Sequence, residues 1–236
     1  VKPLVVLACQ VLEPLLANRV DAASQEYLGY GLHVRPAEML PALQSRLDSL
    51  TEPSTVIIGY GLCGNGVVGL ESGHHTLVLP RTHDCIGMML GSMAQYAEAF
   101  AADPATYYLT KGWLESGDEP LSEYRGYVDE YGLERADRLI DMMYGSYRKL
   151  RLLAFSDDEM EWLRPIAAPV VEFCRDRWDM AYDERIGDTG LIERLGMADT
   201  TLRDDPDLLV LPPGTTVTQQ MYLDEPAAGS PDSAHM

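Results

Sequence analysis

Six side chains able to hold a soft metal ion or move a proton fall at three places in this chain: Cys9 with Glu13, then Cys63, then His83, Asp84 and Cys85. Each group follows an apolar, strand-like run: Lys2–Cys9, Thr55–Gly59 and Thr76–Pro80. In an open α/β sheet, ligands bind just beyond the carboxyl ends of the strands. If these three strands are neighbours, their reactive ends converge. Thiolate and imidazole are the donors that Zn²⁺ and other borderline-soft ions take. Three protein ligands with an open position make a catalytic arrangement, and four make a closed structural one. Strand-end cysteines can also be plain small hydrophobes. Three consecutive polar or reactive residues at 83–85 have no packing use, and they favour a site. The expectation is Zn²⁺ on Cys9, Cys63 and Cys85, with His83 as a fourth ligand or as an acid/base. Asp84 or Glu13 would orient the histidine or shuttle a proton.

The loop Gly59–Gly66 (GYGLCGNG) brings backbone amides within reach of a ligand. Gly61, Gly64 and Asn65 could cradle a phosphate or carboxylate of a cofactor, or simply supply the positive φ angles of a turn. There is no Walker motif, no GxGxxG opening a helix and no GxSxG elbow. His74-His75 sits before strand 76–80, at the end away from the site, and reads as an exposed loop. His33, between a glycine-rich turn and Pro36, reads as a structural histidine. Lys111, Trp113 and Glu115 follow an extended segment and could cover a pocket, while Cys174 lies mid-helix and reads as core.

The elements that must position these residues read as α/β. Met39, Leu40, Leu43, Leu47 and Leu50 recur at helical spacing between two strands, the pattern of parallel βαβ units. Ile86–Phe100 reads as one helix with a Met-rich apolar side, and 106–110 as a short extended segment before a loop over 112–120. Tyr124–Tyr147 reads as a long helical stretch weakly broken at Gly132. A second unit is expected from Arg151: a strand at 152–155, a Ser156 N-cap, a helix over 160–178 disturbed by Pro165 and Pro169, and a strand at 208–211. Leu77–Pro80 and Val210–Pro213 look alike, which suggests two similar halves. The reading is a mainly parallel sheet with flanking helices. Residues 1–100 form the half carrying the Cys/His site, 101–150 a helical connection, 151–218 a second half and 219–236 a disordered tail.

Composition narrows the partners. The 236 residues carry 37 acidic and 18 basic side chains, a formal charge of −19. A surface this acidic disfavours nucleic acid and anionic membranes, which need Lys and Arg to neutralise them. No apolar run is long enough to span a bilayer, and the first ten residues enter a strand pattern too soon for a signal peptide. Four cysteines without a CxxC pair fit a reduced, cytoplasmic chain better than a disulfide scaffold.

ACQVLEPLL, LHVRPAEML, YGLCGNGVVGL, LPRTHDCIGMMLGS and YYLTKGW, then a late LLVLPPG, run in order from Cys9 to Gly214. Together they resemble the domain-of-unknown-function 1638 family. By that resemblance Cys9, Glu13, His33, Cys63, His83, Asp84 and Cys85 fall on signature positions. The chain departs from the family in its acidity and its 219–236 tail. The family keeps company with corrinoid proteins and with methyl transfer from methylated amines. That implies a metal-dependent transferase acting on a small methylated or nitrogen-containing molecule, with a corrinoid protein as partner. Two alternatives share the same residues: a zinc hydrolase of a small amide-like substrate, and a metal carrier or corrinoid-protein partner without turnover. Metal-free chemistry by one low-pKa cysteine near His83 is a further rival.

Overall fold

The computed structural model describes residues 2–32, 35–197 and 205–223. Strand β1 (Leu4–Cys9) leads through a 3₁₀ turn into the single helical turn α1 (Glu13–Leu16). Strand β2 (Ser24–Leu28), helix α2 (Pro36–Ser49), strand β3 (Thr55–Gly59) and strand β4 (Thr76–Pro80) follow. Helix α2 starts on a proline and buries Met39, Leu43 and Leu47 against the sheet. Strands β1, β3 and β4 are apolar after their first residue and buried on both faces there, as is usual for strands of a parallel sheet.

Helices α3 (Cys85–Met89) and α4 (Met93–Ala102) then precede β5 (Thr106–Thr110), α5 (Lys111–Ser116), α6 (Pro120–Tyr131) and α7 (Leu133–Tyr144). Next come β6 (Lys149–Ala154), α8 (Asp157–Trp178), β7 (Ala181–Ile186), α9 (Gly190–Met197), β8 (Leu208–Leu211) and the helical turn α10 (Gln220–Leu223).

Two sheets result, both mostly parallel, as expected. The first has the order β2-β1-β3-β4-β8, with only β8 antiparallel; the second is β5-β6-β7, parallel throughout. The three strands carrying the reactive residues are therefore neighbours, β1 beside β3 and β3 beside β4. The chain passes from β1 outward to β2, then crosses back to β3 on the other side. That reversal makes the carboxyl ends of β1 and β3 a topological switch point, where α/β folds bind ligands.

Several boundaries differ from the sequence reading. The second layer begins at β5, so 101–150 is not only a helical connection. The strand at 208–211 does not close a second half: it returns to the first sheet, with Leu77 opposite Leu211 and Val78 opposite Val210. The two LVLP-like segments thus pair with each other and are not equivalent parts of a repeat. Strands β2 and β7, which the sequence reading lacks, are edge strands. The expected loop over 112–120 contains α5 and opens α6, and the expected helix 86–100 splits at Gly91, whose φ is 92°. Helix α8 runs unbroken past Pro165 and Pro169. Of the tail expected from 219, Gln220–Leu223 is helical with Tyr222 buried; 224–236 lie outside the described residues.

His75 also differs from expectation, being 2% exposed rather than on an open loop, and its Nδ1 accepts the Ser54 amide at 3.2 Å. Burial, then neighbouring His74, lower its pKa from the ordinary 6.5. Below that value the unfolded chain takes up a proton that the folded one refuses, so stability falls as pH drops through and below 6.5. His75→Asn keeps an acceptor for Ser54 and is expected to flatten that loss. Urea midpoints measured at steps between neutrality and pH 5 check it; an unchanged slope would acquit His75.

Candidate functional site

A cavity of about 460 Å³ opens between the two layers. Its floor is the carboxyl end of the first sheet: Cys9 from β1, Gly59, Tyr60 and Cys63 from the end of β3, and His83-Asp84-Cys85 after β4. The opposite wall comes from α4, β5 and α5. The structure thus brings together the three cysteines, His83, Asp84 and Gly64 around one space. Glu13 is exposed on α1 and does not line it; neither do Gly61 and Asn65. His33 lies outside the described residues.

The loop after β3 owes its shape to the loop after β4. The amides of Leu62 and Cys63 donate to the carbonyls of Thr82 and His83, both at 2.8 Å. Gly61 sits so close that a Cβ there would lie 2.7 Å from the Thr82 carbonyl oxygen and 2.9 Å from the Asp84 nitrogen. Cys63, Gly64 and Asn65 are then left-handed in succession, with φ of 45°, 64° and 70°. Glycine and asparagine tolerate this region; cysteine does so only under strain. Strain of that kind persists where the surroundings impose it, and it gathers at functional sites. Of the two expectations for Gly61, Gly64 and Asn65, the positive φ angles of a turn are present at Gly64 and Asn65. The amides of 62, 63 and 66 are donated within the protein.

Each thiol is held protonated. Cys9, 8% exposed at the end of β1, has its pKa raised by burial, with Asp118 adding and the Val11 amide opposing. Burial pushes Cys63 up to about 12, with Asp84 and Cys9 reinforcing it. Cys85 is pushed well above the ordinary thiol value by burial, then by Asp84, Cys9 and Cys63. A place at the start of α3 would favour a thiolate, but here Asp84 takes the helix amides and desolvation wins.

Asp84 has a structural task of its own. As N-cap of α3, its Oδ1 accepts from the amides of Ile86 at 2.9 Å and Gly87 at 3.2 Å, and its Oδ2 accepts the Tyr96 hydroxyl at 3.4 Å. Burial still raises its pKa despite those donors. His83 stands exposed at the mouth, its ring centroid 6.0 Å from that of Tyr96.

The wall is aromatic: Tyr30, Tyr60, Tyr96, Phe100, Tyr108 and Trp113 all face the space, and sequence reading missed Tyr30, Tyr96, Phe100 and Tyr108. Of the residues expected to cover a pocket, Trp113 does so. Lys111 instead pairs with Glu115 at 3.7 Å and lies 5.3 Å over the ring of Trp162. No lysine or arginine is among the described lining residues, whereas Asp84 and Asp103 are. Asp103 itself is paired with Lys149 at 2.6 Å. The lining favours a neutral or cationic guest over an anion.

The donor set suits a thiophilic ion in chemistry: three thiols with one imidazole at the rim. Among the described residues, however, no three His, Cys, Asp or Glu side chains are already gathered to hold an ion.

The sequence model of a protein family of unknown function, DUF1638, matches residues 27–195. The chain belongs to that family. The DUF1638 match takes in Cys63, His83, Asp84 and Cys85, while β1 with Cys9 precedes it. No curated protein and no solved structure matches the chain. No described helix is long and apolar enough to cross a membrane.

Proposed function

We propose that this cavity is the active site of a metal-dependent enzyme acting on a small methylated or nitrogen-bearing molecule. Zinc, or another thiophilic ion, would be held by Cys9, Cys63 and Cys85. One observation carries the reading: three cysteines, at the end of β1 and in the segments following β3 and β4, share one aromatic-walled cavity at the switch point of the sheet. When bound, such an ion supplies Lewis acidity at the cavity floor and keeps its thiol ligands ionised. His83 at the mouth takes or gives a proton there, and Asp84 keeps α3, and with it Cys85, in place.

The lining argues for this reading against its rivals. A metal-free thiolate would meet Asp84 and its sister thiols with no lysine or arginine on the wall, so a lone activated cysteine is disfavoured. Tyr and Trp faces beside carboxylates suit a methylated ammonium through cation–π attraction. In a methyl transfer the C–N bond would break with its electron pair left on nitrogen, and the methyl group would pass to a nucleophile at the mouth. A reduced corrinoid carried by a partner protein is the acceptor we favour. The cavity has room for a small molecule, so the corrinoid would stay with its own protein.

Elemental analysis of anaerobically purified wild type beside Cys63→Ser and Cys85→Ser tests the proposal. The expected result is about one equivalent of metal in the wild type, lost from both variants. A metal-free wild type after anaerobic preparation would overturn it and leave simple binding of a small molecule.

A further inference from the structure

Asp84 has one oxygen spent and one half free. Its Oδ1 is taken by the amides of Ile86 at 2.9 Å and Gly87 at 3.2 Å. Among the described residues its Oδ2 meets just the Tyr96 hydroxyl at 3.4 Å, beyond the range of about 2.5–3.0 Å usual for such a bond. Both residues line the cavity. A carboxylate beside aromatic, water-poor space is costly without a cation, and its remaining lone pairs call for a donor. The other lining carboxylate, Asp103, already has Lys149 at 2.6 Å. His83 stands exposed at the mouth, where water screens it. No lysine or arginine is among the described lining residues, so the cation that Asp84 lacks is left to the guest.

The lining also discriminates among cations. Aromatic faces attract any ammonium ion, quaternary ones included. An oxygen with a vacant lone pair adds strength for an ion that carries an N–H, because such a bond is short and charge-assisted; a quaternary nitrogen has no proton to donate. The space of about 460 Å³ is far larger than an ammonium group alone, and its lining is largely apolar and aromatic.

We propose that Asp84 is the specificity-determining residue of the cavity, its Oδ2 accepting the N–H of a protonated amine whose apolar body lies against the aromatic wall. This rests on the reading of the cavity as a site for a nitrogen-bearing molecule, and it is independent of any metal ion. It places protonated amines ahead of quaternary ammonium ions and excludes anions. Capping α3 and holding the guest fall to separate oxygens of one carboxylate, so the guest leaves the helix undisturbed.

Calorimetric titration of the reduced protein at neutral pH tests this with three probes. Benzyldimethylammonium and benzyltrimethylammonium differ by a methyl group in place of the N–H proton; phenylacetate is the anion. The wild type is expected to bind the tertiary ion about 10-fold more tightly than the quaternary one, the low end for a hydrogen bond between charged groups because the extra methyl recovers part of the difference. Phenylacetate is expected not to bind. In Asp84→Asn the side-chain oxygen keeps the cap and an NH₂ group stands where Oδ2 was, a donor facing a donor. That variant is expected to lose the preference and bind the two ions about equally. Equal affinities in the wild type, a result that needs no variant to fold, would overturn the role of Asp84 and leave the cavity as a cation site. A preference that persists in folded Asp84→Asn would overturn it as well. Binding of neither ion, or of phenylacetate as tightly as the amine, would overturn both the role of Asp84 and the nitrogen-bearing guest. Metal content is decided separately, by the elemental analysis.

Discussion

Iodoacetamide at pH 8 is expected to label Cys63 of the metal-free native protein about 50-fold more slowly than an open cysteine. Burial, then Asp84 and Cys9, push this thiol up to about 12 from an ordinary 9.0. At pH 8 its thiolate fraction is then lower by about 10³-fold. A more basic thiolate is intrinsically more nucleophilic, and a Brønsted slope near 0.4–0.5 recovers about 20-fold of that deficit. Restricted access slows the reaction further, so the 50-fold figure is a lower bound on the protection. Asp84→Asn separates ionisation from access. Asparagine keeps the N-cap acceptor for α3, while the carboxylate that is the second cause of elevation at both Cys63 and Cys85 disappears. Labelling of both cysteines should therefore accelerate in the variant without a loss of α3. Time courses read by peptide mass mapping check this. Labelling of native Cys63 at the rate of an open thiol would mean an ionised sulfur, and would revive metal-free thiol chemistry.

The floor of the cavity was legible in the sequence because chemistry and topology coincide there. Three apolar runs each lead into a reactive residue; β3 and β4 are consecutive neighbours, and β1 lies beside β3 although β2 comes between them in the chain. The far wall was legible only at Trp113. Tyr96, Phe100 and Tyr108 reach the cavity from α4 and β5, and nothing local to those elements says which side of them meets the first sheet. The sequence leaves the Gly59–Gly66 loop open between a ligand cradle and a turn, because glycines near a strand end look alike whether neighbouring amides are free or spent. Here the Thr82 and His83 carbonyls take those of Leu62 and Cys63.

The second layer was misplaced for two physical reasons. Strand β7 carries Asp183, paired with Arg151 at 2.6 Å, and Glu184, paired with Arg164 at 2.9 Å. An edge strand stapled by ion pairs does not read as an apolar run. The likeness of residues 77–80 to 210–213 is not that of equivalent parts of a repeat: the strands lie side by side and antiparallel in one sheet. The tail reading stopped short at Tyr222, whose burial depends on a core formed by distant strands.

Gly61→Ala is expected to cost about 3–5 kcal/mol of stability, combining backbone overpacking with two hydrogen bonds. The added methyl would lie 2.7 Å from the Thr82 carbonyl oxygen and 2.9 Å from the Asp84 nitrogen, both backbone atoms that cannot swing aside. Relief requires the two loops to part, which breaks the bonds from Leu62 and Cys63 to Thr82 and His83. Each is worth about 1 kcal/mol and the overpacking about 1–3. Parting the loops also moves Cys63 away from Cys85, so any metal the wild type holds should be lost at concentrations that still saturate the native site. Gly126→Ala is the control. Gly126 lies in α6 with open space around its Cβ position, and alanine there should stabilise by about 0.5–1 kcal/mol through helix propensity. Urea unfolding of the two variants should therefore shift in opposite directions at an unchanged slope. A wild-type midpoint for Gly61→Ala would mean that the loops after β3 and β4 separate freely, and that no fixed spacing of the thiols is built into the fold.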